Sequence, residues 1–515
     1  MRHHTITYLV CWKQSQREML EVHIASRKSQ TTLEGQAYYR ELSFCLGPCV
    51  RAFQFCLPQL CIDGTFLTGK YRGTILTAIG ADGNNQLLLQ FIENENTNSW
   101  FWFLQLVKQH VVGGRNNICL INDRHVGILQ AINTLQNGSD TFLPAWPDVH
   151  NRWCMRHMDA NFHEHFKNKD LMDLFKRLAS QNQERKFKIL WKMLDRLTVK
   201  YARDNADLLA SRPFSDWIHG APKQKWALLY DTDGRRYGIQ TTNNVESYNM
   251  IMRGVRSLPL VGIVEFILYG CAKYFRDRYM AVSSSLANTI VLFGYKMIEY
   301  MEAKIKKSRL HDVREMGTRD RRFEVTCKGR SNRGIHRNRV VYEYLLAEDG
   351  TIHCSCYKPT LLHKPCSHVL AACGEAGVQA GLFVSAYYRK DTIAAVWNQE
   401  VFGFAMVDTF VQENANKVYI TDHATMIAHQ GHRKTRRIRN GMDEAEAGRS
   451  IKCCTHCGNL GHNYKRCPLT DLPGFVEAGP SGNATDGAPP DFRSSSMWWS
   501  SVSASSARPS SVSRR

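Results

Sequence analysis

No run of 18 apolar residues occurs in the 515-residue chain, so no membrane-spanning helix is expected. The opening stretch MRHHTITYLVCWKQ lacks the sustained apolar core of a signal peptide, and the chain therefore reads as intracellular. No internal repeat is visible. Acidic residues are scarce: 47 Asp plus Glu stand against 67 Lys plus Arg, a net charge of +20. Such an excess favours polyanion partners through counterion release and long-range steering, which makes nucleic acid the expected main partner. The 17 cysteines are odd in number, and without an export signal a disulfide framework is not expected. Metal binding suits them better, because six Cys and two His fall into two tight clusters. With 43% apolar and 10% aromatic residues, the chain can fill a sizeable core, and its length suits two to four domains.

Residues 1–55 carry no clear motif, and MLEVHIASRKSQTTLEGQAYYRELSFCLGP has room for a short helix. From residue 56 the pattern sharpens. LPQLCID, TILTAIGA and QLLLQFIEN read as three strands, with a polar turn starting at Asp82-Gly83, which predicts an antiparallel meander. Thr97 to Val112 reads as a helix with Trp100, Phe103, Leu104 and Val107 on one face and Asn98 or Ser99 as cap. NICLIN is a short apolar strand, VGILQAIN a helix, and VHNRWCM a fifth strand. The order is that of an α/β fold whose mixed five-stranded sheet has a meander at one end. Residues 158–235 read as charged helices, another helix starts near Thr242-Asn243-Asn244, and VEFILYGCAKYFRDRYM makes a further one. Short strands follow from about residue 320 around VVYEYLL. The last forty or so residues are rich in Ser, Pro and Gly, as disordered segments are.

Three acids stand out by position. Asp63 ends one apolar strand, Asp123 ends another just before a helix, and Glu246 lies in the first turns of a helix. A carboxylate at the end of a buried strand is costly unless it is paired or binds a cation. Phosphoryl transfer on DNA needs carboxylates that converge, because two Mg²⁺ ions about 3.5–4 Å apart clamp the attacking and leaving oxygens. Position alone leaves capping as the alternative, since Asp at strand ends and Glu in first helical turns are common caps.

The run CIDGTFLTGKYRGTILTAIGADGNNQLLLQFIENENTNSWFWFLQLV, followed by ICLINDRHVGILQAI, RWCMRHMDANF and TTNNVESYN, closely resembles Mutator-like plant transposases over roughly residues 40–270. The resemblance implies an RNase H-like core whose DDE triad is split by a helical insertion between the second and third acids. It puts the first Asp on Asp63, the second on Asp123 and the Glu on Glu246. Asp63 would bridge two Mg²⁺ or Mn²⁺ ions, Asp123 would hold one and Glu246 the other. Water would cut the strand, and the freed 3′-hydroxyl would attack target DNA. The family also carries a Cys-x-x-His pair, here Cys154 and His157, for which a structural role near the acids and zinc binding are both open. Helical spacing puts Asn249 or Met250 and Arg253 on the face of Glu246, with Arg253 either touching a DNA phosphate or solvated.

Two zinc motifs follow. Cys354, Cys356, Cys366 and His368 give Cys-x-Cys, nine residues, Cys-x-His, a pattern that resembles the SWIM zinc finger. His353, His363 and Cys373 are near neighbours not expected to ligate. Cys454, Cys457, His462 and Cys467 have the zinc-knuckle spacing, with Gly458 and Gly461 where tight turns are needed. Such knuckles bind single-stranded nucleic acid, here with Tyr464, Lys465, Arg466 and Leu460 as candidate contacts; a purely structural zinc site is the alternative.

The expected organisation is a remnant N-terminal region at 1–55, a first core part at 56–157, and a helical insertion at 158–240. The last core part lies at 241–300, the SWIM-type finger at 320–378, a basic linker at 379–450, the knuckle at 451–470 and a disordered tail at 471–515. Family members usually carry an upstream module that recognises transposon ends. Only about 55 residues precede the first catalytic strand here, so either truncation or loss of end recognition is expected. The implied function is metal-dependent cleavage and strand transfer on DNA, at transposon ends and target, in the nucleus, with two structural Zn²⁺ ions. Homo-oligomerisation follows by resemblance. The competing expectations are a domesticated, DNA-binding transcriptional regulator of the same superfamily, and an RNA-binding protein acting through the knuckle.

Overall fold

The computed structural model describes residues 22–28, 37–69, 73–85, 87–93, 97–139, 143, 145–204, 213–258, 260–286, 291–316, 322–327, 337–343, 352–401 and 419–420. The knuckle residues Cys454, Cys457, His462 and Cys467 and the tail lie outside them. Strands β1 (Val22–Lys28) and β2 (Ala37–Leu46) pair antiparallel, and helix α1 (Gly47–Phe53) follows. β3 (Gln59–Phe66), β4 (Thr74–Ala81) and β5 (Leu87–Glu93) form the antiparallel meander. A crossover through α2 (Thr97–Leu106) leads to β6 (Cys119–Asn122), parallel to β3. α3 (Val126–Asn137) then leads to β7 (His150–Trp153), parallel to β6. Parallel neighbours need such connections, and the helices cover the sheet. The sheet order is β1-β2-β5-β4-β3-β6-β7, with the short strand Tyr419–Ile420 parallel to β2. β4 is buried along its whole length, as befits a central strand covered on both faces.

Between β7 and the helix that carries Glu246 lie α4 (Met155–Phe166), α5 (Lys169–Ala179), α6 (Glu184–Asp204) and several single turns. Asn168 caps α5 by accepting from Leu171 N at 3.0 Å. These helices close over an aromatic core of their own, in which Phe162 and Phe175 stack at 5.0 Å and Trp226 is fully buried. A buried trio ties this core to the sheet edge. Arg152 Nε on β7 meets Asp231 Oδ1 at 2.8 Å, and Arg236 donates its backbone N–H to Asp231 Oδ2 at 2.9 Å.

The chain continues through α7 (Asn243–Ile251), α8 (Leu260–Leu286) and α9 (Tyr295–Ser308). A second, antiparallel sheet follows in the order β11-β10-β9-β8, made of β8 (His311–Glu315), β9 (Arg322–Cys327), β10 (Arg337–Glu343) and β11 (Ile352–Cys354). Helix α10 (Ser367–Ala376) packs against it, and α11 (Lys390–Trp397) returns to the first sheet.

Three features differ from the sequence expectation. The segment with room for a short helix instead supplies β1 and β2, which extend the sheet beyond β5. The predicted helix 97–112 changes winding at Val107, where a wider π turn runs to Val112 and keeps Val107, Val111 and Val112 all buried. Within the stretch read as linker, α11 packs on the core: Trp397 is buried and donates Nε1–H to Asp82 Oδ2 at 2.7 Å.

Candidate active site and metal centre

Strand register brings the acids together. β3 and β6 pair as Cys61 with Ile121, so two residues further Asp63 falls beside Asp123. β6 and β7 pair as Asn122 with Trp153, so one residue further Asp123 falls beside Cys154. On the other side of β3, Thr77 of β4 pairs with Asp63 and donates its hydroxyl to the Asp63 carbonyl at 3.2 Å. Thr77, Asp63, Asp123 and Cys154 thus form one row across four neighbouring chain segments. Side chains in register share a face of the sheet.

Helix α7 lies across that row. At its start, the buried N-cap residue Thr242 donates both its N–H (3.2 Å) and its hydroxyl (3.1 Å) to Cys154 Sγ. Two turns on, Asn249 Nδ2 donates to Asp63 Oδ2 at 3.1 Å. Seven residues of helix advance about 10.5 Å, and two strand spacings span about 9.5 Å, so the helix bridges from β7 to β3 without distortion. Val245 and Tyr248 anchor its underside in the core. Glu246, between the two ends, is held through one carboxylate oxygen by an ion pair with Arg156 of α4. Its other oxygen, Oε1, is buried with no hydrogen-bond partner among the described residues, as is Asn249 Oδ1.

Electrostatics mark the cluster as under-compensated. The Asp63 carboxyl is pushed up to about 7, first by burial and then by the charges of Asp123 and Glu246, while His157 opposes the rise. His157 is itself raised to about 9: burial would lower it, but its hydrogen bond to Cys154 and the charges of Cys154, Asp63 and Asp123 outweigh that. The Cys154 thiol is lowered, because its bonds to His157 and Thr242 overcome burial. A divalent cation among these oxygens would reverse the rise at Asp63. Asp123 also accepts from the His125 N–H at 2.9 Å, a turn bond just before the helix whose N-cap, His125, has no side-chain cap.

Cys154 Sγ, a His157 ring nitrogen and a Glu246 oxygen lie within 4.8 Å of one another, close enough for a shared ion. Arg253 lies exposed beyond the end of α7 and meets none of these groups. The nearer arginine is Arg256, which donates to Thr65 Oγ1 and, at 3.3 Å, to the Phe66 carbonyl at the end of β3.

A second ligand cluster sits where β11 meets α10. Cys354 ends β11, Cys356 follows in the turn, Cys366 precedes α10, and His368 lies in its first turn. Their ligand atoms all lie within 4.8 Å of one another. Cys354 Sγ and Cys366 Sγ are 3.7 Å apart, and His368 Nδ1 is 3.5 and 3.6 Å from them. Among the neighbours, His363 Nε2 faces the Gly234 carbonyl at 3.1 Å and its ring stacks on Tyr237 at 4.0 Å.

Several partners in the two clusters carry no local signal in the sequence. Arg156 and Thr242, which hold Glu246 and Cys154, contact residues about 90 positions away. Cys327 and His311, paired across β8 and β9, stand behind His368 and form a second potential ligand group with it. None of these has a local spacing that would single it out.

The family model described as MULE transposase domain matches residues 59–161, which takes in Asp63, Asp123, Cys154 and His157 and stops short of Glu246. No curated protein and no solved structure matches the chain. The family match supports a Mutator-like, transposase-related function. The matched segment holds Asp123, just after the end of β6, and Asp63, which does not end its strand as expected, because β3 stays paired with β4 as far as Phe66.

Proposed function

We propose that the chain is a Mutator-like DDE transposase that cleaves and joins DNA strands at Asp63, Asp123 and Glu246. The carrying observation is that register sets Asp63 and Asp123 side by side, α7 crosses above them with Glu246, and the charges of Asp123 and Glu246 act on Asp63, while the groups within ligand distance of Glu246 are Cys154 and His157. The sheet order β5-β4-β3-β6-β7, with an antiparallel meander followed by two parallel strands, supports an RNase H-like core. The helices between β7 and α7 fit an insertion between the second and third acids.

The donor set suits a hard divalent ion such as Mg²⁺ or Mn²⁺. It consists of oxygens, and two of them, Glu246 Oε1 and Asn249 Oδ1, are buried without partners. When bound, such ions supply Lewis-acid stabilisation of an in-line displacement at phosphorus. Asp63, whose carboxyl feels the charges of both other acids, would be a ligand to such ions. Asn249 fixes the orientation of the Asp63 carboxylate, and Arg156 holds one oxygen of Glu246 while leaving the other for the cation. The Cys154–Thr242 contact sets the height of α7 over the strand ends.

The Cys354, Cys356, Cys366 and His368 cluster fits zinc. Tetrahedral ligation with Zn–S near 2.3 Å and Zn–N near 2.05 Å implies sulfur–sulfur separations of about 3.8 Å and sulfur–nitrogen separations of about 3.6 Å. The observed 3.7, 3.5 and 3.6 Å suit that geometry. For Cys454, Cys457, His462 and Cys467 the support is their spacing. DNA is the proposed substrate, the nucleus the proposed compartment and a homo-oligomer the proposed working form.

The test is a strand-nicking and joining assay with the full chain, zinc-loaded, in Mg²⁺ or Mn²⁺, beside Asp123→Asn. Losing several kcal/mol of transition-state stabilisation predicts a fall of about a thousandfold in the variant. If neither protein cuts DNA while both still bind it, the catalytic reading fails, and a regulator that keeps only DNA binding replaces it.

A further inference from the structure

The helix α6 divides sharply into two faces. Phe187, Leu190, Leu194, Thr198 and Ala202 are buried in the aromatic core of the insertion. The opposite face exposes Arg185, Lys188, Lys192, Arg196, Lys200 and Arg203, a ridge of six cations. At 1.5 Å per residue the ridge runs about 27 Å, with a cation roughly every 6 Å from Lys188 to Lys200. The acids of this helix do not balance it. Of its three acids, Glu184 is paired with Lys188 at 2.6 Å, Asp195 points aside to accept from the Ser215 N–H at 2.7 Å, and Asp204 lies exposed at the helix end. Among the described residues, Lys192, Arg196, Lys200 and Arg203 have no acidic partner. Like charges at i,i+4 spacing destabilise a helix, so such a row is retained at a cost unless a polyanion covers it.

We infer that this ridge docks on the phosphate backbone of duplex DNA, as a contact surface separate from the carboxylate cluster. The inference rests on the proposed action on DNA, and it adds where the duplex is gripped. A straight, rigid line of cations complements a regularly charged rod, which carries one charge per about 1.7 Å of axis. Single strands are held by aromatic stacking as well as charge. The ridge offers no aromatic for that, because Phe187 is buried and Trp191 packs edge-on against Phe214 at 4.9 Å. The side chains reach phosphates and no base edge is read, so the contact is independent of sequence. The insertion starts directly after β7 and ends at the N-cap of α7. DNA held on the ridge is therefore tethered to the two elements that carry Cys154 and Glu246.

The experiment titrates the full chain with a labelled random-sequence duplex over a range of salt concentrations, without divalent metal. Three proteins are compared: the unchanged chain, the neutralised variant Lys192→Gln/Arg196→Gln/Lys200→Gln, and the charge-preserving variant Lys192→Arg/Arg196→Lys/Lys200→Arg. All three positions are exposed, so circular dichroism should show unchanged helix content. The neutralised variant should bind at least about tenfold more weakly at low salt. Its log–log salt slope should be shallower by about 2.7, from 0.9 per phosphate contact. The charge-preserving variant should match the unchanged chain. If the neutralised variant binds with unchanged affinity and slope, the ridge is a solvated face and the inference is overturned, whatever the nicking assay shows. Equal or stronger competition by duplex RNA would also overturn it, by making RNA the occupant. Asp123→Asn should keep the salt slope, so docking and chemistry fail separately.

Discussion

The protein gathers ligands in two contrasting ways. At the carboxylate cluster, position comes from the sheet: Asp63 and Asp123 are set side by side by the register of β3 and β6, whose apolar residues are buried on their own account. At the cysteine cluster, a strand end, a turn and the first turn of a helix converge, and Cys354, Cys356 and Cys366 are themselves part of the core between the second sheet and α10. The first site is built before any ion arrives, and its acids repel. The second has thiols where a core would otherwise have aliphatic side chains, so an ion there doubles as core. Removing the ion should therefore cost chemistry at the first and structure at the second.

The sharpest way to break this contrast is to take the metal from the cysteine cluster. Cys366→Ser should lower the zinc content by about one equivalent, and chelation should remove about two. Structural zinc in small modules is worth about 10–16 kcal/mol, so hydrogen-exchange protection across residues 311–315, 322–327 and 367–376 should collapse. Protection in β3, β4 and β6 should persist. Equal loss in both sheets would show that the two regions fold as one unit and would end the distinction. Exchange that is unchanged everywhere would show that the cysteines are ordinary core.

A smaller effect is expected at Cys154, the one soft ligand in the row of hard ones. Cys154→Ala removes the acceptor for Thr242 and frees the start of α7, so Glu246 shifts relative to Asp63. Losing a contact that orients a metal-binding carboxylate costs about 10–100-fold in activity. DNA affinity and zinc content should stay unchanged, and Cys154→Ser should recover part of the rate because a hydroxyl still accepts from Thr242. A fall in zinc content would instead make Cys154, His157 and Glu246 a third ligand set, with the role of Glu246 to be redrawn.

Legibility followed chain distance. The meander, the two parallel strands and the helices between them could be read because each apolar run ends in a turn, and Asp63 and Asp123 stood out as acids closing such runs. The cysteine cluster could be read because its four ligands fall within 15 residues, 354 to 368. Glu246 stood out by its place in the first turns of a helix, the resemblance put it in the triad, and helical spacing then suggested Asn249 or Met250. Register is a property of pairing between distant segments, so the row from Thr77 to Cys154 had no trace in local pattern. The same holds for Arg156 on Glu246, Thr242 on Cys154 and Cys327 behind His368. β1 and β2 were missed because neither VHIASRK nor AYYRELSFCL alternates cleanly. Ser43 to Leu46 are all buried, which erases the period-two signal of a half-exposed strand.

The smallest effect reads the repulsion within the acid cluster through stability. Asp63 has its folded pKa raised from the usual 3.8 to about 7, with burial the main cause. Between these values the unfolded chain has lost the proton while the folded chain keeps it. Metal-free protein therefore loses stability as pH rises through roughly 4 to 7, and the loss is complete above that window. Asp63→Asn keeps the shape and the acceptor for Asn249 but cannot ionise. Its melting temperature should exceed that of the unchanged chain by a few degrees near pH 8, by less than half of that near pH 5 and by almost nothing near pH 3. Adding Mg²⁺ should raise the unchanged chain and leave the variant where it was, reversing the order. His157, raised from 6.5 to about 9, stabilises fully below 6.5 and loses that contribution between 6.5 and 9, so it adds little to the change across the 4 to 7 window. A variant that is less stable than the unchanged chain near pH 8 without metal would mean that the Asp63 charge is already compensated. The strand-end site would then have no electrostatic need for a cation, and its contrast with the cysteine cluster would rest on ligand type alone.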